Sequence, residues 1–262
     1  MFDIRSGAAV LASLGLAGAV HAASVNVKVT AENLVAANGI AFAPLHVGFG
    51  SGSFDAFDLG GVAGAAIVSV AEGGSGSAWF PAFAAAEPGS TRGTIVDGGP
   101  LLPGAMAMNS FVVDSLANRY FTFAAMAIPS NDFFIGNDNP MQYELFNAGG
   151  GQQIFSITIK ASQIWDAGSE AFDPAAAAFV AGGDNDLRTP QNSVVAFNFA
   201  ELAAFNGLTT GAGYVLDSQQ GGDTDVYRIS FEVTPVPEPS TYALLVAGLA
   251  TVGSLARRRR AR

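Results

Sequence analysis

The last 27 residues, Val236 to Arg262, constrain how the rest of the chain can fold. Val236-Pro237-Glu238-Pro239-Ser240 comes first, and a near-continuous apolar run from Tyr242 to Ala256 follows. Arg257, Arg258, Arg259 and Arg260 close the segment, with Arg262 just behind. Proline fixes φ and has no amide donor, so the two prolines hold the first part extended and out of the helix. The stretch from Tyr242 to Ala250 can satisfy its own backbone hydrogen bonds as a helix, which lipid demands. The arginines resist crossing a bilayer and stay cytoplasmic. The tail is therefore expected to sit in a membrane, with the preceding chain outside the cytoplasm. Its apolar run is short against the ~20 residues of a full span, which suits a transient helix better than a permanent one.

The front of the chain agrees. Ala8 to Val20 is apolar, and Val20-His21-Ala22 places small residues where signal peptidase cuts, leaving Ala23 as the new N-terminus. The whole chain has 12 basic and 22 acidic side chains, a net of −10. Taking away Arg5, Asp3 and the five tail arginines leaves 6 basic against 21 acidic, a net of −15. Such a surface repels nucleic acid and anionic lipid and favours divalent cations. Nucleic-acid binding is thereby excluded. There is no cysteine, so neither a disulfide nor a thiolate zinc site can form. Export permits disulfides, so this chain must hold together by core burial, helped by any ion it binds.

The 213 residues from Ala23 to Pro235 suffice for one large domain, the reading favoured over two small ones. Ser24 to Ala31 alternates strictly and predicts a half-buried strand with Val25, Val27 and Val29 inward. Ile40 to Phe49 reads as extended around Pro44, and Gly48 to Gly52 as a loop. Periodicity leaves Val62 to Glu72 open between a short helix and a buried strand, and Glu72 to Ser77 is a turn region. Tyr120 to Ile128, closed by Pro129, predicts a central strand. Ile154 to Lys160, Val194 to Phe199 and Val226 to Val233 predict three more, and Pro235 to Pro239 reads as a linker. Strands separated by long loops, with few helical patterns, imply a mostly β chain folded as an antiparallel β-sandwich.

Catalytic templates fail on this sequence. His46 is the only histidine between Ala23 and Pro235, and it reads as a strand residue. No Gly-x-Ser-x-Gly elbow, P-loop or His-Glu-x-x-His pattern is present. Paired acids can serve a glycosidase, with Trp79 as a stacking platform for sugar. The acidic stretches say more. Pro129 to Asp138 follows the central strand, and Trp165 to Glu170 follows the next one. Loops leaving strands at one end of a sandwich lie close, so their carboxylates can meet. Hard oxygen donors without nitrogen or sulfur suit calcium. Pro-Ser-Asn-Asp as a plain turn and Asp166 as a loop cap, both solvated, is the other reading, and composition alone favours it.

Two resemblances bear on these segments. Pro-Glu-Pro, an apolar helix and an arginine cluster, in that order, closely resemble the PEP-CTERM sorting signal of Gram-negative bacteria. The resemblance implies that an exosortase recognises Pro237, Glu238 and Pro239. It also implies that Arg257, Arg258, Arg259 and Arg260 act as the membrane stop, and that the processed chain is released or re-attached at the surface. Pro129-Ser130-Asn131-Asp132-Phe133-Phe134-Ile135-Gly136 and Asp166-Ala167-Gly168-Ser169-Glu170 look like two signatures of the spondin N-terminal domain. Ala71-Glu72-Gly73 is similar to a third. That resemblance implies a C2-like sandwich holding Ca2+ at one end through Asp132, Asp166 and Glu170, with Glu72 a weaker candidate. Asn131 stands where the family has proline, and Glu170 where it has aspartate.

The expected organisation is a signal peptide over 1–22, a spondin-like sandwich over 23–234 and a sorting tail over 235–262. The expected protein is an exported calcium-binding adhesion or biofilm module. Signal peptidase and an exosortase process it, and extracellular polysaccharide or surface proteins are its partners. A secreted polysaccharide-acting hydrolase is the alternative.

Overall fold

Alternation in the first described strand sets the architecture. The computed structural model describes residues 24–236, 246–250 and 257. The signal peptide expected over 1–22, Pro237, Glu238, Pro239, Arg258, Arg259 and Arg260 lie outside the described residues, while Arg257 is helical and exposed. β1 (Ser24–Asn33) buries Val27, Val29 and Ala31 on one face and turns Asn26, Lys28 and Thr30 to the other. It lies inside a four-stranded sheet in the order β5 (Met106–Asp114), β1, β10 (Asp225–Pro235), β8 (Ser156–Lys160). Val27 stands opposite Val233 on one side and Phe111 on the other. The last residue of β10, Pro235, is still paired with Val25, so the first linker residue belongs to the sheet.

The second sheet has six strands. β4 (Thr91–Ile95), β3 (Leu45–Gly50), β6 (Tyr120–Ile128), β7 (Phe133–Gly136) and β9 (Trp165–Asp166) follow in that order, with β2 (Ala41–Phe42) beside β6. Every strand pairing in the two sheets is antiparallel. β2 and β3 run along the same neighbour and are parted at Ala43-Pro44, where proline offers no donor.

β6 is buried from Phe121 onward because both of its faces are covered. Phe121, Phe123, Ala125 and Ala127 join Val27, Phe111, Ile157, Ile229 and Phe231 in the core between the sheets. Ala124 faces the opposite way, into a second cluster with helices α1 (Ala65–Gly73) and α2 (Trp79–Ala86). A strand covered on both sides reads as an unbroken apolar run, as Tyr120 to Ile128 does.

Three expectations are corrected or settled. Gly48 to Gly50 is strand, not loop, since a Cβ on Gly48 would run into the Phe83 ring and one on Gly50 into the Glu87 carboxylate. Those glycines serve close packing within a strand. Val194 to Phe199 is not a strand: Ala196 makes one bridge to Asp166, and the chain then enters α3 (Phe199–Ala204). Val62 to Glu72 resolves as helix from Ala65 onward, ended by Gly74 at φ 60°. Among the described residues no helix is long and apolar enough to cross a membrane.

Candidate functional site

The end of β6 builds the site. After Ile128 the chain turns through Pro129 to Asp132 and re-enters the sheet as β7, which pairs Phe133 with Asp166 and Phe134 with Trp165 of β9. This pairing sets Asp132 beside the turn that follows β9. Asp132 Oδ2 accepts from Ser169 N at 2.7 Å, Ser169 Oγ at 3.2 Å and Glu170 N at 2.9 Å. The turn itself needs Gly168, at φ 64°, where any Cβ would collide with the Ser193-Val194 backbone. Asp166 anchors it: Oδ1 accepts from Gly168 N at 2.7 Å and Oδ2 from Asn198 Nδ2 at 2.9 Å.

Asp132, Asp166 and Glu170 therefore gather at one pole. Asn131 is built into that pole rather than exposed in a turn. Its Nδ2 donates to Glu170 Oε1 at 3.0 Å and to Asp173 O at 3.1 Å, and its Oδ1 accepts from Asp173 N. Glu72 sits on α1, and its carboxylate pairs with Arg188 at 3.4 Å.

A fourth acid joins them that the strand reading of Val194 to Phe199 concealed. Asn198 caps α3, accepting from Glu201 N, while its Nδ2 donates to Glu201 Oε2 at 2.9 Å as well as to Asp166. The signal was present in the sequence, because an Asn followed three residues later by Glu is a helix-start pattern.

Polar groups withdrawn from water normally find partners, and here several do not. Asp132 is 0 % exposed and Glu170 2 %, yet Asp132 Oδ1, Glu170 Oε2 and Glu201 Oε1 are buried without a hydrogen bond. Burial, with the Asp166 charge adding to it, pushes the Asp132 carboxyl up to about 6 despite the three donors on Oδ2. Burial raises Glu170 to about 7, with Glu72 and Asp132 contributing against the Asn131 bond. Burial and then the charges of Asp166 and Asp132 raise Glu201 to about 7. A cluster like this holds either extra protons or a cation. Its donors are all hard oxygens, which fits calcium. Among the described residues no three acidic or histidine side chains already stand as a metal cluster, so coordination would have to draw the carboxylates inward.

The other candidates lie elsewhere. His46 is buried in β3, with Nδ1 3.1 Å from Thr94 Oγ1 and Nε2 3.0 Å from Gly74 O. Burial lowers its pKa, which keeps the ring neutral. Trp79 is 0 % exposed, packed against Phe54, Phe80 and Phe83, so it presents no face to a sugar.

Residues 235–260 match the PEP-CTERM protein-sorting motif. The motif implies export to the cell surface and processing by an exosortase. It covers 26 of the 262 residues, and no family match supports the spondin-like resemblance of the sandwich. No curated protein matches the chain.

Proposed function

We propose that this exported, exosortase-processed chain is a surface module whose acidic pole binds calcium. Calcium holds the pole together, and the sandwich serves adhesion or matrix structure outside the cell. The observation that supports it is the cluster of buried Asp132 and Glu170 with half-buried Glu201, each keeping a buried oxygen with no partner beside Asp166. The spondin-like signatures fall on the same residues. The net charge of −15 left after removal of Arg5, Asp3 and the tail arginines suits a cation-dependent surface protein. Exosortase processing requires recognition of Pro237, Glu238 and Pro239, with Arg257 to Arg260 as the stop.

Calcium binds the folded state preferentially and so stabilises it by mass action. The test is the melting temperature of the full chain in calcium and in EDTA, for the wild type and for Asp132→Ala. The expected outcome is a large calcium-dependent rise in the wild type that Asp132→Ala abolishes. Identical melting curves for the wild type in calcium and EDTA would remove the metal from this reading.

A further inference from the structure

The sorting motif and the folded sheet share a residue. The match begins at Pro235, which is also the last residue of β10 and stands opposite Val25 of β1. Val236 N then donates to Ser24 O at 3.2 Å, so Pro237 directly follows a residue bound to β1. Only residues 237–241 separate this sheet end from the apolar run that starts at Tyr242. Fully extended, such a stretch spans at most about 18 Å.

The two strands at this end are held unequally. β1 is flanked on both sides, with Val25 opposite Pro235 of β10 and Val113 of β5. β10 is flanked on both sides only as far as Ser230, opposite Ser156 of β8, with one further bond from Phe231 N to Phe155 O. Among the described residues, strand pairing holds Glu232 to Pro235 to β1 alone. Val233 is half-buried against the core, while Glu232, Thr234 and Pro235 are exposed.

We propose that this end of β10 holds back exosortase processing, and that the enzyme acts on chains in which Glu232 to Val236 have peeled from β1. The inference rests on the reading of Pro237, Glu238 and Pro239 as the recognised tripeptide, and names the step that exposes it. An enzyme that takes up a peptide in extended form draws on its backbone hydrogen-bonding groups. Here the residues just before the tripeptide give those groups to β1, and no spare chain separates sheet from signal. Peeling Glu232 to Val236 breaks pairing on one side only and leaves β8 in place, so the opening is local. Where opening and reclosing outpace cleavage, the rate of cleavage follows the population of the open form.

The test follows conversion of the full chain to its shorter product in membranes that carry an exosortase. The chain has no native cysteine, so Asn26→Cys with Thr234→Cys, directly opposite one another, gives a single cross-strand disulfide that locks the end. The oxidised double variant is expected to be processed about tenfold more slowly than its reduced form, or slower still, because the lock removes the open population. Inserting about six Gly and Ser residues between Val236 and Pro237 of the locked chain should restore the rate, because a flexible linker supplies free chain without opening the sheet.

The inference is overturned if the oxidised and reduced forms are processed alike, or if the insertion leaves the locked chain slow. A different result removes the reading beneath it: a wild-type chain that is not processed, or Glu238→Ala processed like the wild type, would show that the tripeptide is not what the enzyme reads.

Discussion

In the four-stranded sheet the charged side chains of β1, β8 and β10 pair: Lys28 with Glu232, Arg228 with Glu32, Lys160 with Asp225. Beneath them Val27, Val29, Ile157, Ile229 and Phe231 pack into one core. At the acidic pole the arrangement is reversed. Asp132, Glu170 and Glu201 are drawn in with oxygens unpaired, and the basic side chain beside them, Arg188, is taken by Glu72. The sheet is complete by itself, whereas the pole carries an unmet electrostatic cost. Stability of the sheet should therefore ignore calcium, and that of the pole should follow it.

The largest effect that separates the two regions belongs to the core. Phe121 is fully buried between the sheets, so Phe121→Ala should cost about 3–5 kcal/mol. The loss of melting temperature should be equal in calcium and in EDTA. A loss seen only in EDTA would mean that the core depends on the pole.

An intermediate effect is pH dependence without calcium. The folded chain keeps Asp132 protonated up to about 6 and Glu170 and Glu201 up to about 7, against ordinary values of 3.8 and 4.5. Between those limits the folded chain binds more protons than the unfolded one, so stability falls as pH rises through the window. His46 works the other way. Its folded pKa lies below the ordinary 6.5, so the unfolded chain takes up the proton first and stability falls as pH drops below that value. In EDTA, melting temperature followed over this range should decline on the alkaline side, and calcium should flatten that decline by favouring the ionised carboxylates. A decline of equal slope in calcium would sever the link between these acids and the cation.

The smallest effect is on the sheet's outer face. Lys28 and Glu232 meet at 3.2 Å but are 36 % and 71 % exposed, so Lys28→Ala should cost less than ~1 kcal/mol. A larger cost in chemical denaturation would show that the outer face is more than solvated surface.

The same contrast governs what was legible in the sequence. β1 could be read because one buried face forces strict alternation, and β6 because two buried faces force an apolar run. β5 escaped notice: Met106, Met108 and Val112 point outward, which scrambles the alternation of its buried Ala107, Phe111 and Val113. Asp132, Asp166 and Glu170 could be placed together, although the β7–β9 pairing brings them there rather than two free loops. Glu201 could not, because Val194-Val195-Ala196 imitates a strand and only the Asn198–Glu201 spacing marks the helix that carries it. Burial of a carboxylate leaves no trace in local pattern, since it depends on which distant segments cover it.

The most direct measurement is calorimetric titration of calcium into the chelator-stripped full chain at neutral pH. The account predicts saturable heat with proton release, because ion binding must displace the protons that the buried acids hold. A flat titration, with no heat and no protons released, would contradict it.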